Sequence, residues 1–280
     1  MEYSIIEIVL RFNGKYSPGY QYTPAEKNSL PVILLCHGNY QEGKDSRIIL
    51  SIAENLTKKG FIVVTFDNLC YNKAWKPDDG EIHSSEEIDM RWAAFAAITY
   101  IRNNYIEKKI IVIGHSMGAS IALSVSALSD YINETIAISP TRISAFIFDD
   151  NELNDFWMQN KDIIETKIDK NVTRSIRLDM MAENYIPFLN KKRTLFICGY
   201  KERYYNYKKW IKSLAESIGE SCESIIIPNA DHYFGITPGN ENQEVFNNFM
   251  NSIFTWINKK YGEININLVN EQKTVNETLK

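Results

Sequence analysis

The stretch Ile110-Ile111-Val112-Ile113-Gly114-His115-Ser116-Met117-Gly118-Ala119 decides how the chain is read. Its first four residues are β-branched and uninterrupted by charge, the pattern of a strand buried on both faces. From Met117 to Leu128 the pattern turns helical. Between strand and helix stands G-x-S-x-G, at the place where a serine can occupy a sharp, strained turn with its hydroxyl lifted above the strand ends. The neighbouring positions in such a turn come close to other backbone, so only small residues fit. Gly114, Gly118 and Ala119 supply them. Ser116 is therefore the candidate nucleophile. The Met117 N–H, at the start of the helix, points toward any oxyanion that would form there.

Outward from this segment, strand and helix patterns alternate. Residues 2–12 alternate as a strand, Asn13-Gly14 offers a tight hairpin turn, and a second strand spans about 16–22 up to Pro24. Buried strands follow at 31–36 and 61–66, then 110–113, 135–139, 194–198 and 223–227. Helices are expected at 46–59, from the Ser84-Ser85-Glu86-Glu87 start to about 104, at 117–128, near 207–218 and at 243–260. The alternation predicts a mainly parallel α/β sheet, wrapped by helices on both faces, with an antiparallel hairpin at the N-terminus. Residues 141–190 break the rhythm and carry many aromatic and methionine residues. They are read as a helical cap or lid inserted into a core of 1–140 and 191–261, and residues 262–280 as a polar tail.

A serine needs a base at neutral pH, and in this architecture the chain order is serine, acid, histidine. Of His37, His83, His115 and His232, only His232 follows Ser116. It stands in Asn229-Ala230-Asp231-His232, just past a strand, where catalytic groups of such sheets gather. The acid belongs after the strand at 194–198, in Gly199-Tyr200-Lys201-Glu202, and Glu202 is the acid of that turn. Asp231 is a competitor, although its adjacency to His232 makes a facing hydrogen bond awkward; Asp149 and Asp150 are weaker rivals. The second oxyanion donor belongs in His37-Gly38-Asn39-Tyr40, where Gly38 lets the backbone approach. The Asn39 N–H is the first choice and Tyr40 the second, with His37 as an anchor of the loop. Gly38 to Lys44 also fits G-x-x-x-x-G-K, but Asp45 stands where a phosphate loop needs Ser or Thr, which argues against nucleotide binding.

Composition narrows the function classes. The 280 residues are 44% hydrophobic and 24% charged, with a net charge of −4. That is the make-up of a folded soluble protein, without the clustered basic charge of a nucleic-acid binder. No run is apolar enough over ~18 residues to span a bilayer. Cys36, Cys70, Cys198 and Cys222 form no CxxC pair, so the reading is a reduced cytoplasmic protein with neither metal nor organic cofactor. The sequence leaves the oligomeric state open.

The HG after the third strand, the GHSMG elbow, the G-x-x-acid turn and the ADH loop together resemble the α/β-hydrolase superfamily over about residues 3–260. The closest resemblance is to small intracellular esterases of the cinnamoyl and feruloyl type and to acyl thioesterases. It implies an eight-stranded sheet and hydrolysis of a carboxylic ester or thioester through an acyl-enzyme. Nucleophile, acid and base map to Ser116, Glu202 and His232, and the oxyanion donors to Asn39 and Met117. Gly38, Gly114 and Gly118 support the loops. The sequence departs from the family in holding Glu at the acid position and in reading Asp67-Asn68-Leu69-Cys70-Tyr71-Asn72 where many members carry a glycine-rich turn. An acyltransferase or perhydrolase with the same three residues, a peptidase, and a non-catalytic binder on the same scaffold are the alternatives.

Overall fold

The computed structural model describes residues 2–26, 28–69, 71–76, 81–82, 89–142, 167–168, 179–202 and 206–262. Its centre is one eight-stranded sheet. The strands are β1 (Tyr3–Phe12), β2 (Lys15–Pro24), β3 (Val32–Cys36), β4 (Ile62–Phe66), β5 (Ile110–His115), β6 (Ile132–Ile138), β7 (Arg193–Gly199) and β8 (Cys222–Ile227). They lie in the order β1-β2-β4-β3-β5-β6-β7-β8. The β1–β2 and β2–β4 pairs are antiparallel and the remaining pairs parallel.

Both faces of the central strands are buried, as their continuous apolar runs require. In β3, Val32, Leu34 and Cys36 pack on one face and Ile33 and Leu35 on the other. The helices α1 (Arg47–Lys58) and α5 (Gln243–Tyr261) cover the second face, while α2 (Arg91–Asn104), α3 (Met117–Leu128) and α4 (Tyr207–Ile218) cover the first. Helix α1 buries Ile48, Ile49, Ile52, Ala53, Leu56 and Thr57, a single stripe at helical spacing. It stops at Gly60, whose φ of 96° suits a residue without a side chain. Helix α5 begins where the Asn242 side chain accepts from the Val245 N–H at 3.1 Å.

These elements meet the expectations closely, with boundaries moved by a residue or a few. The expected start of α2 at 84–87 lies outside the described residues, and the described helix begins at Arg91. Most of the expected cap, 143–166 and 169–178, also lies outside them, as do Asp149 and Asp150 and the tail from 263. The described end of that segment packs with the core: Ala182, Ile186 and Leu189 join the cluster under α3 and α4. Two small pairings escape the sequence patterns. Glu81–Ile82 runs beside Lys167–Ile168, and Ile236–Thr237 pairs with Asn240–Glu241. Two-residue strands are too short to carry a periodic signal. Among the described residues, no helix is long and apolar enough to cross a membrane.

Candidate active site

All the singled-out loops follow the C-terminal ends of parallel strands: β3, β4, β5, β6, β7 and β8. That is the edge where ligands bind in open α/β sheets. Ser116 sits between β5 and α3 with φ 56° and ψ −122°, a conformation that costs a non-glycine residue about 1–3 kcal/mol. The glycines beside it are obligatory by contact. A Cβ on Gly114 would lie 2.0 Å from the Gly118 carbonyl oxygen, and one on Gly118 would lie 2.3 Å from that of Cys36. The turn is held by the Ser116 N–H donating to Ile138 O at 2.9 Å. Its side chain is half-buried, and Gly38 comes so close that an added Cβ would be 2.9 Å from the Ser116 Cβ.

Glu202 and His232 are brought together. His232 Nδ1 lies 3.1 Å from Glu202 Oε2. The carboxylate is almost fully buried, at 2% exposure, while the imidazole keeps 18%. The other oxygen, Oε1, accepts from the Ser139 hydroxyl at the end of β6, so both carboxylate oxygens are engaged. The two loops are also stitched by backbone. Tyr200 N–H donates to Ile227 O at 3.0 Å, and Lys201 N–H to Ala230 O at 2.8 Å. This approach excludes a side chain at 199, because a Cβ there would be 2.5 Å from Ala230 O. Asp231 is committed elsewhere: it accepts from the Tyr233 N–H at 3.0 Å, the Gly235 N–H at 3.4 Å and the Thr237 hydroxyl at 2.9 Å. Among the described contacts no hydrogen bond joins the Ser116 hydroxyl to His232; such bonds commonly tighten only around a bound substrate.

The loop after β3 is built from its own histidine. The Asn68 N–H donates to His37 Nε2 at 2.8 Å, so Nδ1 carries the proton and donates to Gly38 O at 2.6 Å. Burial lowers the His37 pKa to about 4, keeping it neutral and unsuited to proton transfer near pH 7. The Tyr40 N–H donates to Gly38 O at 3.0 Å. The Asn39 side chain accepts from the Tyr71 hydroxyl at 2.5 Å. Thus the unusual loop after β4 is organised around the β3 loop by Asn68 and Tyr71. Lys44, the lysine of the phosphate-loop lookalike, is turned inward. Its ammonium lies 3.2 Å from the buried Asp67 and 3.1 Å from Asp45, and its side chain is 4% exposed.

His115 forms a link that the sequence gives no reason to suspect. Its Nε2 lies 2.8 Å from the His232 carbonyl oxygen, so that nitrogen carries the proton, and Nδ1 accepts from the Tyr40 hydroxyl. Burial, with His232 beside it, holds His115 well below the usual histidine range. Sequence reasoning missed Ser139, Tyr71 and His115, and for Tyr40, named only as a second-choice backbone donor, it missed the role of the hydroxyl. Each acts through a partner distant in the chain, and only the serine at the end of the β6 run stood at a suggestive place. Burial also pushes the Cys198 thiol up to about 12 and the Cys36 thiol higher still, so neither offers a thiolate. Among the described residues, no group of three or more His, Cys, Asp or Glu side chains could hold a metal ion.

Residues 31–218 match the family model described as the alpha/beta hydrolase fold. The chain belongs to the α/β-hydrolase family. No curated protein matches the sequence. Among solved structures it is similar to the esterase Pf2001 of Pyrococcus furiosus, with 18% identity, a TM-score of 0.66, and coverage of 92% of this chain and 91% of that one. It is also similar to Est1E of Butyrivibrio proteoclasticus, with 17% identity, a TM-score of 0.64, and coverage of 90% and 98%. A third is the alpha/beta hydrolase GrgF of Penicillium sp. sh18, with 13% identity, a TM-score of 0.67, and coverage of 92% and 99%. At such identities these likenesses speak to the fold of this α/β hydrolase and not to its substrate.

Proposed function

We propose that this α/β hydrolase is a serine esterase or thioesterase that cleaves a small to medium acyl or aryl substrate through an acyl-enzyme on Ser116. The observation that carries the reading is the buried Glu202 carboxylate 3.1 Å from His232 Nδ1, both on loops beside a serine at φ 56°. In this reading His232 Nε2 takes the Ser116 proton as the hydroxyl oxygen attacks the acyl carbonyl. Glu202, held by Ser139, keeps the proton on Nδ1 and stabilises the imidazolium. The Asn39 and Met117 N–H groups hold the oxyanion. Collapse of the tetrahedral intermediate breaks the bond to the alcohol or thiol, which leaves with the proton from His232. Water then gives a proton to the same imidazole and frees the acid from Ser116.

The esterase Pf2001 among the structural neighbours supports the ester reading, as does the structure of Est1E with ferulic acid bound. The free thiols of Cys36, Cys198 and Cys222 support a reducing compartment, and we place the protein in the cytoplasm. The test is a chain-length series of p-nitrophenyl esters, with thioester analogues, run beside Ser116→Ala and a fluorophosphonate label. Serine-dependent release, with labelling lost in the variant, is expected. A wild-type protein that neither labels nor turns over any ester or thioester would overturn the reading in favour of a non-catalytic binder.

A further inference from the structure

The first strand presents an edge that ordinary edge strands avoid. β1 is the outermost strand beside β2, ten residues long, and its pairing with β2 runs without a register shift from Tyr3 to Phe12. Edge strands usually carry a proline, a lysine or a bulge that discourages further pairing. β1 has none of these: its sequence is YSIIEIVLRF. Ile8 and Leu10 are buried toward α2, but Ile5 and Ile6 are each 49% exposed, Val9 55% and Phe12 39%. Glu7 and Arg11 are exposed as well. Among the described residues, no strand lies beyond it.

We propose that this edge pairs with the same edge of a second copy, antiparallel and two-fold symmetric about Val9. Opposed residues of an antiparallel pair share a face. With Val9 opposite Val9, each Glu7 stands opposite the other chain's Arg11. On the other face, each Ile6 stands opposite a Phe12, and Ile8 opposite Leu10. Every exposed apolar side chain of the strand except Ile5 then gains an apolar partner, and both charges are paired. Neighbouring symmetric registers lose this. Centring on Glu7 or Arg11 sets like charges against each other, and centring on Ile8 or Leu10 sets Glu7 or Arg11 against Val9. Opposed residues about Val9 also have the same parity, so the outward N–H and C=O groups of both copies meet whichever parity points to the edge. The contact is isologous, as two-fold dimers require.

The experiment is sedimentation velocity of the full chain over roughly 1–100 μM, a range that resolves dimers of ordinary affinity. Wild type should form a dimer. Glu7→Arg and Arg11→Glu should each weaken it by about tenfold or more, because each turns two attractive cross-strand pairs into two repulsive ones. Glu7→Arg/Arg11→Glu together should restore it to within about threefold, since the pairs are re-formed with sign reversed. Unchanged melting of the monomer separates these effects from misfolding. A wild type that stays monomeric overturns the proposal, and protection of β1 amides in that monomer would mean that another part of the same chain covers the edge. A dimer that neither single reversal weakens, or that the double reversal fails to restore, overturns it too.

Discussion

Glu202 reaches His232 from a turn, Gly199 to Glu202, that hydrogen bonds to the end of β8 and to the histidine loop. The glutamate is braced by Ser139 on its far oxygen. Glu202→Gln should therefore lower kcat on the order of 10²–10⁴-fold, by losing the charge that orients and stabilises the imidazolium. Ser139→Ala should cost about tenfold, since one charge-assisted hydrogen bond to a buried carboxylate is lost and the acid remains. Asp231→Asn should lower stability more than kcat, because that carboxylate serves its own loop. Steady-state kinetics and thermal melting of the three variants decide the matter: a dead Asp231→Asn beside an active Glu202→Gln would reverse the assignment. Chain order pointed to His232, and strand position to Glu202, because both constraints are local. Ser139 was hidden, since a serine ending a strand has no partner until β6 and β7 are side by side.

At the scale of elements, the legible features were those whose sequence has to satisfy backbone packing. The runs at β3, β4 and β5 could be read because both faces are buried, and Met117–Leu128 because it opens directly after a turn with glycines on either side. What could not be read is pairing of two residues at a time, as at Ile236–Thr237, or the route of the loop after β4, which depends on Asn68 meeting His37. The elbow makes its own prediction. Gly118 packs 2.3 Å, by an added Cβ, from the Cys36 carbonyl oxygen and 2.5 Å from that of His37. Gly118→Ala gains helix propensity at the start of α3, worth about 1 kcal/mol. It must also push α3 away from β3, and overpacking against backbone costs about 3 kcal/mol. The clash should win, lowering stability by about 2 kcal/mol in chemical denaturation while displacing the Met117 N–H. A more stable Gly118→Ala would show that the helix start can shift without strain.

For the molecule as a whole, two buried neutral histidines tie the loops of the site together, and they make its stability depend on acid. His37 joins the β3 loop to the β4 loop through Gly38 O and the Asn68 N–H. His115 joins Tyr40 to the backbone of His232, across loops that follow β3, β5 and β8. In both rings one nitrogen accepts: a second proton on His37 would set donor against donor at the Asn68 N–H, and one on His115 would end the hydrogen bond that the Tyr40 hydroxyl donates to it. The His37 pKa is lowered from 6.5 to about 4 by burial, and that of His115 lies well below 6.5 for the same reason. As pH falls below about 6.5, the unfolded chain takes up protons that the folded chain refuses, so stability falls with pH. For His37 the loss runs from about 6.5 down to about 4, amounting to about 3 kcal/mol at the bottom. His115 adds a loss of the same sign that starts at the same pH. Above pH 7 neither histidine contributes a slope. Carboxylates titrate in the same acid range, so the contribution of His115 has to be read as a difference between wild type and His115→Gln. Urea unfolding at pH 7, 6 and 5 should show wild type losing stability faster than the variant as the pH falls. Parallel curves would mean that His115 is charged in the folded protein, and that the Tyr40 hydroxyl does not donate to it.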